Sequence, residues 1–150
     1  MIDIRRWWRR GRHHGTAQGV VVFGSPGFDD DQQGLRTLLG RHERLTEGMR
    51  AAGLELEVSG GGLRVVDSMI EGWVEDPIVA PGLINDVGFF LGNVLVQEIP
   101  DARWRVWPNG HPVVQLADGR EFDVTAQAAA RVQRSHPPLT DILDDAAKRR

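Results

Sequence analysis

The chain has 150 residues, of which 41% are hydrophobic and 26% are charged, with a formal net charge of −3. This length suits one domain with a buried core, and the composition is that of a globular protein rather than a disordered or fibrous one. The sequence contains no cysteine, which excludes disulfides, thiol catalysis, iron–sulfur clusters and thiolate zinc sites, and we expect a cytoplasmic protein.

The charges are distributed unevenly along the chain. Five of the 18 basic residues lie within residues 1–15 and three are the last three residues, which leaves ten basic against 20 acidic residues in the stretch 16–147. We therefore predict an acidic body with basic ends. A duplex-binding face on this body is not expected, because phosphate contacts require a cationic surface.

The first two thirds of the chain predict one strand followed by helices. An apolar run between glycines at residues 18–24 indicates a buried strand, and the loop after it lacks the residues of a nucleophile elbow or a phosphate loop. Three acids, Asp29 to Asp31, then precede apolar residues at helical spacing up to Gly53, which predicts one helix with acids at its positive end. The alternating residues 54–58 predict an edge strand or an extended link.

Two further helices are predicted over residues 63–73 and 82–98, because apolar residues recur there at helical spacing. Gly88 and Gly92 are four residues apart in the second of these helices and therefore share a face. A face with two glycines is suited to close packing against a sheet.

Residues 103–124 predict a three-stranded antiparallel meander with turns at Pro108-Asn109-Gly110 and at Asp118-Gly119. Pairing Val106 with Val114 and Leu116 with Phe122 places six apolar residues on one face. These are Trp104, Val106, Val114, Leu116, Phe122 and Val124. The opposite face carries Arg103, Arg105, Trp107, Val113, Gln115, Glu121 and Asp123.

Two helices are predicted after the meander, one from a cap at Thr125 to about Arg134 and one over residues 139–148. Helices on both sides of a meander indicate an α+β fold, in which the N-terminal strand and the meander are covered on one face by helices. Residues 16–150 contain no linker long enough to divide them, so we predict one domain preceded by an arm at residues 1–15.

The run Asp86–Val96, followed by Trp104, Pro108–Val114 and Asp118–Val124, resembles a family of small actinobacterial proteins, found mainly in Streptomyces and its relatives. That family is catalogued only as a domain of unknown function. The resemblance covers residues 18–147 and implies a bacterial cytoplasmic α+β domain. It implies no activity, cofactor or catalytic residue, and the arm lies outside it.

The basic arm is the main functional candidate. On a helix its apolar residues would share one side, and arginines would occupy the rest. These residues are Ile4, Trp7 and Trp8, and Arg5, Arg6, Arg9, Arg10 and Arg12. The pattern is typical of an interfacial helix or of a short docking motif. Burying the apolar residues yields up to roughly 10 kcal/mol, whereas ordering ten residues costs on the order of 10–20 kcal/mol. We therefore expect either docking on an anionic lipid or protein surface, or an arm folded over its own acidic body.

Other polar residues have simpler structural explanations. The histidines lack the spacing of a helical zinc site, and the three aspartates fit a helix cap. Glu121 and Asp123 share the outer face, either as an acid and base or as ion-pair partners of Arg103 and Arg105. Trp107 on that face packs against Val113, lies under the last helices, or belongs to a partner's landing site.

These observations predict a non-enzymatic adaptor or regulatory domain without metal or cofactor. It binds another protein through Trp107 and the arm, and the arm serves as a docking peptide or as a weak anchor at the inner membrane face. The alternative is a small-ligand binder or enzyme with a deep pocket on the outer sheet face. Nucleic-acid binding by the arm alone is a third hypothesis, and the sequence sets no oligomeric state.

Overall fold

The computed structural model describes residues 31–73, 79–134 and 137–148. Six helices and three strands follow one another in these residues. They are α1 (Gln32–Leu39), α2 (Glu43–Ala51), α3 (Gly60–Trp73), α4 (Val79–Glu98), β1 (Arg103–Val106), β2 (Pro112–Gln115), β3 (Glu121–Phe122), α5 (Val124–Arg134) and α6 (Leu139–Ala147). The α+β class and the meander are confirmed. The predicted strand at residues 18–24 and the boundary after residue 15 lie outside the described residues.

The three strands form an antiparallel sheet in the order β1, β2, β3. Trp104 lies opposite Val114, and Val114 lies opposite Phe122, so the predicted pairs were two residues out of register. Each hairpin closes on a three-residue loop that ends in a glycine with positive φ, Gly110 at 84° and Gly119 at 91°. A shift of two residues keeps every side chain on its face, so the predicted apolar face is right and its residues are buried.

Helix α4 lies at the centre of the core and packs against α5, α3 and the sheet. At Gly92 a Cβ would lie 2.0 Å from Cη2 of the fully buried Trp104, so only glycine permits this approach. Gly88 instead meets the first turn of α5, where a Cβ would lie 2.9 Å from the Cα of Thr125. Close packing on the sheet is therefore confirmed for Gly92.

No helix within the described residues has the length and apolar character that crossing a bilayer requires.

The helix predicted between Asp31 and Gly53 is two helices, because the chain turns at residues 40–42. At Gly40 a Cβ would lie 2.2 Å from the carbonyl oxygen of Arg36. The α2 N-terminus has no side-chain cap of its own, and its Leu45 N–H donates to Asp86 Oδ2 of α4 at 2.9 Å. The predicted cap at Asp31 is confirmed, since Asp31 accepts from Gly34 N at 2.9 Å.

Both ends of α6 are also held by side chains from elsewhere in the chain. Asp67 of α3 accepts the N–H groups of Leu139 and Thr140 at 2.8 and 3.1 Å, and it pairs with the buried Arg131 at 3.2 Å. Arg120, in the turn before β3, donates to three carbonyl oxygens at the other end of α6. Short helices are thus fixed by charges that lie far away in sequence.

The outer edge of β1 is closed by a side-chain amide. Gln32 of α1 donates to the Trp104 carbonyl at 2.8 Å and accepts the Trp104 N–H at 3.0 Å. This pair of bonds replaces the contacts of a further strand at that residue. Blocking of this kind protects an edge strand from unwanted pairing.

Candidate interaction surface on the outer face of the sheet

The outer sheet face is the side of β1, β2 and β3 that turns away from α4. It carries the seven residues that alternation predicted for it, with Arg105 opposite Val113 and Gln115 opposite Glu121. Val113 has no exposed surface, whereas the polar residues around it are partly exposed.

Glu121 joins two strands of this face with both of its carboxylate oxygens. Its Oε1 pairs with Arg105 Nη1 at 3.0 Å, and its Oε2 accepts the Trp107 Nε1–H at 2.7 Å. The ion pair expected between strands therefore forms between Arg105 and Glu121. The Arg105 side chain stays 42% exposed, so part of it is held in place and remains in contact with solvent.

The Trp107 ring stacks on His111 across the hairpin loop. Their ring centroids are 5.7 Å apart and their planes differ by 29°. Trp107 and His111 close the hairpin, since Trp107 N donates to His111 O at 2.9 Å. From the sequence, His111 was one of the histidines without the spacing of a helical zinc site and had no predicted role. The signal that could have found this contact is the pair of aromatic rings flanking a Pro-Asn-Gly turn.

His111 continues the network to the start of α5. Its Nε2 lies 2.7 Å from Asp123 Oδ1 and 3.2 Å from the Thr125 hydroxyl. Asp123 Oδ1 also accepts the Ala126 N–H at 3.0 Å, which makes Asp123 the cap of α5. The predicted cap at Thr125 is wrong, because the helix begins at Val124 and Asp123 precedes it.

The pKa of Asp123 is lowered from its usual value. Partial burial acts to raise the pKa, but the Ala126 N–H, the His111 contact and the Thr125 hydroxyl outweigh it. Each of these groups stabilises the ionised carboxylate. A negative charge at this position also suits the N-terminal end of α5.

The cluster does not have the geometry of a nucleophile relay. In such a relay the hydroxyl and the carboxylate meet opposite nitrogens of the histidine, whereas Thr125 and Asp123 both meet Nε2 of His111. Within the described residues no three acidic or histidine side chains are grouped so that they could hold a metal ion. What the arrangement can do is present a guanidinium, an indole and an imidazole in fixed positions.

Trp107 is the predicted partner-binding residue that the structure describes. The other seven, Ile4, Arg5, Arg6, Trp7, Trp8, Arg9 and Arg10, lie in the arm and outside the described residues.

The described residues define an α+β domain with a small meander, covered by helices on one face and carrying a polar, aromatic network on the other. The chain belongs to a family of unknown function, DUF6278, whose model matches residues 2–149. The match begins within the arm, so the range of 18–147 expected from the resemblance, which left the arm outside, was too short. No curated protein and no solved structure matches the chain.

Proposed function

We propose that this chain is a protein-interaction domain that binds another protein through the outer sheet face, with the arm as a second docking element. The observation that carries the proposal is that Glu121 fixes Trp107 by a hydrogen bond and Arg105 by an ion pair. Tryptophan and arginine dominate the binding energy of many protein interfaces. Side chains that are fixed before binding lose less conformational entropy when the complex forms.

The proposal assigns no catalytic role to the outer sheet face. Both carboxylates of this face are engaged: Glu121 with Arg105 and Trp107, and Asp123 with His111 and the start of α5. These contacts hold the side chains in fixed positions, which suits a recognition surface. An enzyme or small-ligand binder on this face is the competing hypothesis.

The arm supports the same function by its charge. Five arginines and two tryptophans lie within residues 1–15, while the stretch 16–147 carries 20 acids. The family model includes the arm, which indicates that the arm belongs to the pattern shared by the family. Each arginine near an anionic surface contributes about 1 kcal/mol, so an acidic protein or an anionic lipid surface would retain the arm.

Quantitative crosslinking in the source cells tests the role of Trp107. The full chain is compared with Trp107→Ala, with a chain lacking residues 2–14, and with Leu54→Ala as a matched control. Leu54 is an apolar residue with 41% exposure in the link between α2 and α3. We expect wild type and the control to recover the same partner, and Trp107→Ala to recover at least about tenfold less, as loss of an interface anchor does. Equal recovery by wild type and Trp107→Ala would remove the outer sheet face from the proposal.

Vesicle binding separates the two roles of the arm. Full-length and arm-deleted chains are sedimented with anionic and with neutral vesicles at low and high salt. A membrane anchor predicts that only the full chain binds, only to anionic vesicles, and less at high salt. Equal sedimentation of both chains would leave the arm as a protein-docking peptide or without a role.

A further inference from the structure

A cavity between α1, α4 and the link before α3 shares no residue with the outer sheet face. Its volume is about 410 Å³, and its walls are formed by Arg36, Val58, Asn93, Val96 and Gln97. Sites for small molecules commonly have volumes of about 300–1,000 Å³, so this cavity has room for a small organic ligand.

Three polar residues line the cavity. Asn93 and Gln97 are one turn apart on α4 and share a face, and Arg36 comes from the last turn of α1. Within the described residues these three side chains have no hydrogen-bond or ion-pair partner. No acidic residue is among the five that line the cavity, although the body of the protein is acidic.

The apolar part of the cavity is formed by two valines. Val58 is 38% exposed and is one of the few large apolar side chains that the described residues leave in solvent. Val96 is partly buried and packs against the core. An aliphatic group of a ligand would cover the exposed surface of Val58, which is the hydrophobic gain available at this site.

We propose that this cavity binds a small aliphatic monocarboxylate. The Arg36 guanidinium offers two parallel N–H groups to a carboxylate, and the amides of Asn93 and Gln97 donate to its remaining lone pairs. Val58 and Val96 contact the aliphatic chain. One cation matches one negative charge, whereas a phosphate dianion would leave a charge uncompensated on an acidic protein.

A purely structural role for Arg36 is the competing explanation. A cation in the last turn of a helix interacts favourably with the carbonyl end, and this requires no ligand. The two explanations make different predictions. Only a ligand site predicts saturable binding that requires a negative charge on the ligand.

Titration of the isotope-labelled full chain with isovalerate, followed by NMR, tests the proposal. We expect saturable shifts of the Asn93 and Gln97 side-chain NH₂ signals and of the Arg36 Nε–H, with a Kd on the order of 1 mM. The neutral isostere isovaleramide should produce no saturable shift. Arg36→Gln should weaken binding at least about tenfold, whereas Arg41→Gln, which removes an exposed arginine outside the cavity, should not.

Three results would overturn the assignment. They are the absence of saturation at about 20 mM isovalerate, equal binding of isovalerate and isovaleramide, and tighter binding of inorganic phosphate than of isovalerate. Thermal unfolding checks that Arg36→Gln is folded. If Arg36→Gln is not folded, the variant Val58→Asn is used in its place. Weaker binding of isovalerate by Val58→Asn, with unchanged binding of acetate, then supports the site. Trp107→Ala should leave this binding unchanged, so failure here and failure of the protein-interaction proposal are separate outcomes.

Discussion

Replacing Asp86 with asparagine removes a buried negative charge while keeping the shape of the side chain. Asp86 is 9% exposed, and its Oδ2 accepts the Leu45 N–H at the start of α2. Burial raises the pKa of Asp86 from 3.8 to about 6, although the Leu45 amide and the charge of Arg44 act in the opposite direction. An asparagine oxygen can accept the same N–H, so the substitution isolates the effect of charge.

The raised pKa determines how stability varies with pH. Between about pH 4 and pH 6 the folded protein holds a proton on Asp86 that the unfolded chain releases, so this group stabilises the fold at low pH. That contribution is lost as the pH rises through about 6, and above this pH the buried charge costs about 3 kcal/mol. When the pH is lowered from 7 to 5, the free energy of unfolding of wild type should therefore rise by about 1 kcal/mol relative to that of Asp86→Asn.

Urea unfolding of wild type and Asp86→Asn at pH 5, 6 and 7 measures this difference. His42 beside α2 has a pKa lowered by burial, but it titrates in both proteins and cancels in the comparison. Asp101→Asn, which removes an exposed carboxylate, is the matched control. A stability difference between wild type and Asp86→Asn that is the same at pH 5 and pH 7 would refute the buried, charged Asp86 of this structure.

Four further substitutions test the packing and the helix ends. Gly92→Ala places a Cβ 2.0 Å from the Trp104 ring and should lower the free energy of unfolding by about 1–3 kcal/mol or more in urea titrations. Gly61→Ala, at an open position of α3, should leave that free energy unchanged or raise it by up to about 1 kcal/mol. Arg120→Ala should speed hydrogen exchange in α6 and not in α4, because it removes the donors to the carbonyl end of α6. Asp123→Ala should destabilise the protein by about 1 kcal/mol at pH 7 through loss of the α5 cap. The pKa of Asp123 is low because hydrogen bonds outweigh partial burial, so this difference should decrease as the pH falls through the acidic range in which Asp123 takes up its proton, and a difference that does not change with pH would contradict the capping role.

The sequence predicted which side chains of the meander face the core, because strict alternation determines the face of each residue. It did not predict the register, since a shift of two residues leaves that alternation unchanged. The register is fixed by the loops, each of which places a glycine with positive φ as its third residue, Gly110 and Gly119. These loops also bring Trp107 and His111 together, which alternation alone could not show.

The break between α1 and α2 could not be predicted from the local spacing of apolar residues. Apolar residues keep helical spacing across residues 31–53, so periodicity indicated one helix. The acceptor at the α2 N-terminus is Asp86, which lies 41 residues away from Leu45 in sequence. Such a contact exists only in the folded chain, and nothing in the spacing of residues near position 42 indicates it.

The contacts that hold the helix ends are separate from the outer sheet face. Helices α2 and α6 have nine residues each, too short to be stable alone, and they depend on Asp86, Asp67 and Arg120 for partners at their ends. All three of these contacts lie outside the network of Trp107 and Glu121. The strands that carry the network are fixed from the opposite face, where Trp104 packs on α4. Substitution of Trp107 should therefore change binding while helices and core stay assembled, and loss of binding without loss of stability is the result that distinguishes a recognition residue from a structural one.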